Sequence, residues 1–178
     1  MVELLISVIV LMVVGSVVVN IITTVFRGNT KATAVNNIRQ SGVNAIIQMG
    51  RAIGYAKSFD GVSLDGISFT ANCVVSIPAY PNPTPTPIQY QYLKITSFDS
   101  GKTIFSCPGT TIASNSASLL DQSSVNLTSC YFTCIADKVS DHPIIGINFA
   151  LSQKGSGLIE DAVSVPFSTS VTVRNLRR

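Results

Sequence analysis

The sequence predicts an α+β fold: a long N-terminal α-helix, apolar in its first half and amphipathic in its second, with the second half packed on an antiparallel β-sheet. Three observations predict it. Val2 to Phe26 is an almost uncharged apolar run. Val35, Ile38, Gly42, Ile46, Met49 and Ile53 then recur at three- and four-residue steps, which is the spacing of one helix face. After Ser58 the chain breaks into short β-like runs separated by Gly, Asn, Ser and Pro. The 178 residues thus divide into an apolar segment, 1–26, its amphipathic continuation, 27–57, and a β-rich head domain, 58–178.

The apolar segment is built from Val, Ile, Leu and Met, with Ser7, Gly15, Ser16, Asn20, Thr23 and Thr24 as its breaks. About 20 such residues cross a bilayer as a helix, so the run is long enough to span a membrane and its first half is expected to project bare from the head domain. A signal peptide has a shorter apolar core, a basic region before it and an A-x-A-like exit, and none of these is present. No Lys or Arg precedes the run, although a first membrane helix normally has them on its cytoplasmic side. The chain is therefore expected to begin after a processing site. Its first basic residues, Arg27 and Lys31, lie on the far side of the run.

Glu3 is the one ionisable side chain between Val2 and Phe26. A carboxylate in an apolar helix costs about 2.5 kcal/mol or more at bilayer depth. The helix dipole at the N-terminal end offsets only ~0.3–1 kcal/mol of this. Glu3 is expected to pair with a positive group presented within the membrane.

No turn signal follows Phe26. Lys31, Asn36, Arg39, Gln40, Gln48 and Arg51 lie mostly off the apolar stripe, while Gly28, Gly42, Gly50 and Gly54 weaken the local helix. Packing of the stripe on a domain core must therefore supply the stability. A continuous helix to about Lys57 is ~85 Å long at 1.5 Å per residue.

In the head domain, Gly66 to Ile77 reads as a strand and Pro78 to Pro87 as an extended, polyproline-like surface loop. Strands at Gln89 to Ser97 and Lys102 to Cys107 flank the turn Asp99-Ser100-Gly101. Later runs are Ser129 to Ala136, Ile144 to Ser152 and Val163 to Arg174, with a loop opening through Gly155 to Gly157. Phe167 to Arg174 alternates apolar and polar, as a half-buried antiparallel strand does.

Cys73, Cys107, Cys130 and Cys134 all lie in the head domain. An even count outside a membrane suggests two disulfides. There is no CxxC pair to favour zinc. Three pairings are open. If Cys130 and Cys134 share one straight strand, their Cα atoms are ~13 Å apart, too far to bond to each other, and each then reaches Cys73 or Cys107. A turn within Tyr131 to Thr133 would reverse that conclusion.

The composition excludes more than it suggests. Hydrophobic residues make up 46% and charged residues 12% of the chain, about half the usual charge. The net charge of +3 is spread over twelve basic and nine acidic side chains. No dense Lys/Arg stripe exists outside the Arg174 to Arg178 tail, so there is no nucleic-acid footprint. One histidine and no tryptophan, with no GxSxG, HExxH or phosphate loop, argue against an enzyme and imply no cofactor or metal. Asp137, Asp141 and His142 near Lys138 read as a solvated loop. Asn126-Leu127-Thr128 fits the glycosylation sequon, making Asn126 a candidate acceptor at a surface position.

The run Met1-Val2-Glu3-Leu4-Leu5-Ile6-Ser7-Val8-Ile9-Val10 resembles the mature N-terminus of type IV pilins and pseudopilins. In that family a basic leader ending in Gly is removed by a prepilin peptidase, the new N-terminus is methylated, and an apolar helix follows with one glutamate near its start. Glu3 matches that glutamate. The match covers residues 1–26 and implies that a pair of residues of the Phe-Thr type precedes Met1 in the natural mature protein. The family's frequent helix-breaking Pro is missing before Pro78, and Gly15-Ser16 offers a weaker point for helix melting, with melting on assembly left open. A closing strand ending Val173-Arg174-Asn175 is also similar to the C-termini of several minor pilins and pseudopilins.

The resemblance implies a pilin-like fold and a structural subunit of a type IV pilus-like filament. Such a subunit is held in the inner or cytoplasmic membrane as a single-pass protein, then polymerised outside the cell. It implies copies of the chain itself, the membrane and the pilus assembly machinery as partners, with Glu3 neutralising a neighbour's N-terminal amine. A minor pilin or type II secretion pseudopilin is the alternative within the family, and a membrane-anchored binding domain the alternative outside it.

Overall fold

The computed structural model describes residues 2–75, 87–136, 143–154 and 163–174. The expected proline-rich loop up to residue 86, the group of Asp137, Lys138, Asp141 and His142, the loop after Lys154 and the end of the arginine tail lie outside the described residues. The chain divides into two compact units, Met1–Asn36 and Asn37–Arg178.

One long helix, α1 (Val2–Gly54), is followed by β1 (Ser58–Ser63), β2 (Val74–Val75), β3 (Tyr92–Thr96), β4 (Lys102–Ser106), β5 (Ala113–Ser114), β6 (Ala117–Ser118), β7 (Val125–Ala136), β8 (Ile144–Gln153) and β9 (Ser164–Thr172). The helix stops slightly before the expected Lys57. Tyr55 N still donates to Arg51 O at 3.0 Å and Ala56 N to Ile53 O at 3.2 Å, but Lys57 N turns away to Thr96 O on β3 at 2.8 Å. The last helical turn is thus closed by the first contact with the sheet.

The strands form two sheets. One has the order β1-β3-β4-β5-β6 and is antiparallel throughout; the other has the order β2-β7-β8-β9. In the second sheet β7, β8 and β9 are antiparallel, whereas the two-residue β2 runs parallel to β7. Tyr90 and Phe132 exchange backbone hydrogen bonds of 2.8 and 2.7 Å and so stitch the approach to β3 onto β7. In the Asn37–Arg178 unit the helix contributes Ile38, Ala45, Met49 and Ile53 to the core. There they join Leu93, Ile95 and Phe105 from one sheet and Phe132, Ile145, Ile147 and Leu151 from the other. The observed architecture is the α+β arrangement the sequence predicts, with the amphipathic part of the helix packed against an antiparallel sheet. Alternation in β9 is equally clear, with even-numbered residues exposed and odd-numbered ones half-buried.

Gly42, read from sequence only as a weak point of the helix, has a packing role. A Cβ there would collide with the ring of Phe167 on β9, which itself stacks on Phe149 with ring centroids 5.1 Å apart. At Gly50 and Gly54 a Cβ would meet Val171 at ordinary distances of 3.7 and 3.6 Å. The two kinds of glycine should respond oppositely to alanine. Gly50→Ala gains roughly 0.5–1 kcal/mol of helix stability. Gly42→Ala gains the same propensity but overpacks against an aromatic ring, typically costing 1–3 kcal/mol, and is expected to be destabilising overall. Urea midpoints of the two variants check this, and a stabilised Gly42→Ala would contradict the close packing.

The region from Gly66 to Ile77 departs from the expected strand. Among its described residues Val74–Val75 forms the one strand and Thr70 makes an isolated bridge to Val62, and a strand not singled out from sequence, β1, precedes them. Asp65 is the cause. Its Oδ1 accepts from Ser63 Oγ at 2.7 Å, from Ile67 N at 2.9 Å and from Ser68 N at 3.0 Å. Gly66 takes a left-handed φ of 78°, and the chain turns back so that Thr70 and Val62 exchange hydrogen bonds of 2.9 Å. The Ser63 hydroxyl first, then the Ile67 and Ser68 amides, lower the Asp65 carboxyl to about 2. The hairpin of β5 and β6 was likewise illegible in the sequence. Its turn places Asn115 and Ser116 at φ of 47° and 71°, and the Asn115 side chain ties it to β4 by accepting from Ile104 N at 2.8 Å.

Candidate functional site

The dominant surface feature of the Met1–Asn36 unit is the helix itself. Residues 2–33 are exposed at every position. Val2 is 75%, Leu11 72% and Phe26 69% exposed, so no side of the helix is covered. An 18-residue window reaches a mean hydropathy of 2.9 with none of it buried. A typical monomer exposes apolar patches of about 300–600 Å², and a bare apolar helix far exceeds that. The helix is long and apolar enough to cross a membrane.

Its hydroxyl side chains bond back to the helix. Ser7 Oγ donates to Glu3 O at 2.9 Å, Ser16 Oγ to Val13 O at 2.8 Å, Thr23 Oγ1 to Val19 O at 3.0 Å and Thr24 Oγ1 to Asn20 O at 2.8 Å. Each hydroxyl is thereby satisfied by its own helix, the usual way Ser and Thr are tolerated in such segments. What remains between Val2 and Phe26 is the Glu3 carboxylate in the first turn and the Asn20 amide. Asn20 sits in a shallow groove with Val17, Ile21, Thr24 and Val25. Neither side chain has a hydrogen-bond partner among the described residues, and burying either unpaired group costs several kcal/mol at roughly 2–7 for a neutral amide and more for a charge. Sequence reasoning singled out Glu3 but treated Asn20 only as a break. The missed signal is that an amide here, unlike its hydroxyl neighbours, makes no bond back to the helix.

The four cysteines form two disulfides, Cys73–Cys134 and Cys107–Cys130. Cys130 and Cys134 do share one strand, β7, and each reaches one of the other two. Cys73 occupies the position before β2, and the parallel register Val74↔Ile135 brings it opposite Cys134 with a Cα separation of 5.0 Å. Cys107 follows β4 and bonds to Cys130 with Cα atoms 5.9 Å apart, which crosslinks the two sheets. Asn126 is exposed on β7, and the Thr128 hydroxyl of its sequon donates to Ala150 O at 3.0 Å beside the bulge between Leu127 and Ser129.

Fold and surface together define an α+β protein with an apolar, membrane-length N-terminal helix and a disulfide-linked head. Comparison with protein-family models, with curated proteins and with solved structures finds no match for the chain.

Proposed function

We propose that the chain is the structural subunit of a type IV pilus-like extracellular filament. Before assembly the Val2–Phe26 part of α1 holds the subunit in the membrane. On extraction these helices bundle together, so that protein contacts replace lipid contacts. Burial of such a helix supplies a large gross driving force at about 25 cal/mol per Å² of apolar surface. The Glu3 carboxylate pairs with the N-terminal amine of a neighbour as both leave water, since either alone would be an uncompensated buried charge. The observation that carries this reading is the helix exposed on all sides with its hydroxyls internally bonded and a lone carboxylate in its first turn. A single membrane crossing by an anchored domain needs the apolar length but has no use for an unpaired Glu3. The two disulfides fit a head domain in an oxidising, extracytoplasmic compartment.

The test is fractionation of cells producing the full chain. Mechanical shearing followed by high-speed sedimentation is expected to recover the chain as a detergent-free polymer. Recovery solely in the membrane fraction, as a detergent-soluble monomer, would instead support the anchored-domain reading.

A further inference from the structure

A cleft of about 460 Å³ lies in the Asn37–Arg178 unit between the end of α1 and β9. Arg51 and Tyr55 line it from the helix side, and Arg174 lines it from just beyond β9. Ser170, Val171 and Thr172 are consecutive in β9, so the strand contributes a stretch of its backbone to the wall. Among the described residues β9 is the edge strand of its sheet, and an edge strand presents N–H groups that no neighbouring strand satisfies.

Two features set this cleft apart from an ordinary surface hollow. The first is charge. Arg51 alone has a simple explanation, since a cation in the last turn complements the helix dipole. Arg174 comes from beyond a different element and lines the same space, and no carboxylate is among the described lining residues. Two like-charged side chains thus line one cleft with no counterion among its described residues. The second is Gly50 and Gly54. Neither is required by Val171, which a Cβ would meet at 3.7 and 3.6 Å, and neither has a positive φ. Glycine weakens a helix at both places, and its effect here is to leave room between the Arg51 and Tyr55 side chains and β9.

We propose that this cleft is a binding site for a small oxyanion-bearing ligand, a carboxylate, sulfate or phosphate. The Arg51 and Arg174 guanidiniums hold the anionic group, for which their planar forks are suited. The volume accommodates a body about the size of a single acidic sugar, against which the exposed Tyr55 ring presents an amphipathic face. The site uses only residues of the Asn37–Arg178 unit and stands apart from filament formation.

The test uses the full chain in a zwitterionic detergent. Inorganic sulfate, inorganic phosphate and glucuronate are titrated separately at constant ionic strength against chloride, read at the Gly50 and Gly54 backbone amides by NMR. Saturable shifts are expected with at least one of the three, and which of them binds identifies the anionic group. Binding should weaken at least tenfold in Arg51→Gln and in Arg174→Gln, while Lys102→Gln on β4 binds as the unaltered chain does. Gly50→Leu, which fills the cleft and keeps both charges, should also abolish binding. Circular dichroism confirms that each variant is folded, and a misfolded arginine variant is replaced by the corresponding Lys substitution, which keeps charge but loses the fork. No saturable shift with any of the three anions would overturn the proposal. So would equal affinity in the arginine variants, or binding that survives Gly50→Leu.

Discussion

Glu3→Ala is expected to leave the subunit in the membrane and to abolish filaments. The substitution removes the one charge from an otherwise apolar segment, so membrane insertion becomes, if anything, more favourable. Assembly is affected in the opposite sense. Each subunit's amine would enter the helix bundle without a counter-charge, and breaking a buried pair by deleting one partner typically costs 3–5 kcal/mol. At 1.4 kcal/mol per tenfold, the subunit concentration needed for polymerisation rises roughly a hundredfold to a few thousandfold. Glu3→Gln separates charge from shape. It keeps the size of the side chain and one acceptor oxygen but replaces the other oxygen by an NH2 donor and removes the charge, and it should fail in the same way. Quantifying sheared polymer against membrane-held monomer for both variants checks this. Normal filament yield from either would remove the pairing from the account.

Loss of the disulfides is expected to be the largest single perturbation of the head domain. Cys107 and Cys130 are 23 residues apart and Cys73 and Cys134 are 61 apart. Loop-closure entropy then assigns about 3 and about 4 kcal/mol to the two bonds, against a typical domain stability of 5–15 kcal/mol. Cys107→Ser with Cys130→Ser removes the only covalent link between β4 and β7 among the described residues, and its urea midpoint should fall steeply. Cys73→Ser with Cys134→Ser should release the segment leading into β2, whose pairing to β7 extends over two residues. Intact mass before and after reduction checks the premise: the mass should rise by the hydrogens of two reduced bonds. Four free thiols in the native protein would refute it.

What the sequence revealed follows the range of the forces involved. The helix was legible from end to end because the apolar run and the stripe through Ile38, Met49 and Ile53 are local patterns. β9 was legible for the same reason, since alternation needs no partner to be seen. The cysteines were legible halfway. Strand geometry separates Cys130 from Cys134, but the choice between Cys73 and Cys107 depends on the parallel register of β2 on β7, which nothing in Val74-Val75 announces. Gly42 looked like a helix defect because its reason, the Phe167 ring, comes from the far end of the chain. The strand expected at Gly66 failed because Asp65 captures two backbone amides that a ladder would have used. Arg51 and Arg174 were invisible as a pair, being on elements that only the fold brings together. Asn20 was in plain view, yet its significance depends on what its hydroxyl neighbours do with their protons.

The most direct measurement is electron microscopy of sheared cell-surface material, probed with an antibody to the Asn37–Arg178 unit. The account requires thin filaments labelled along their whole length, with the apolar helices forming their central density and the head domains outside. Label confined to membrane vesicles, with no filament carrying it, would contradict the claim that copies of this chain bury one another's helices.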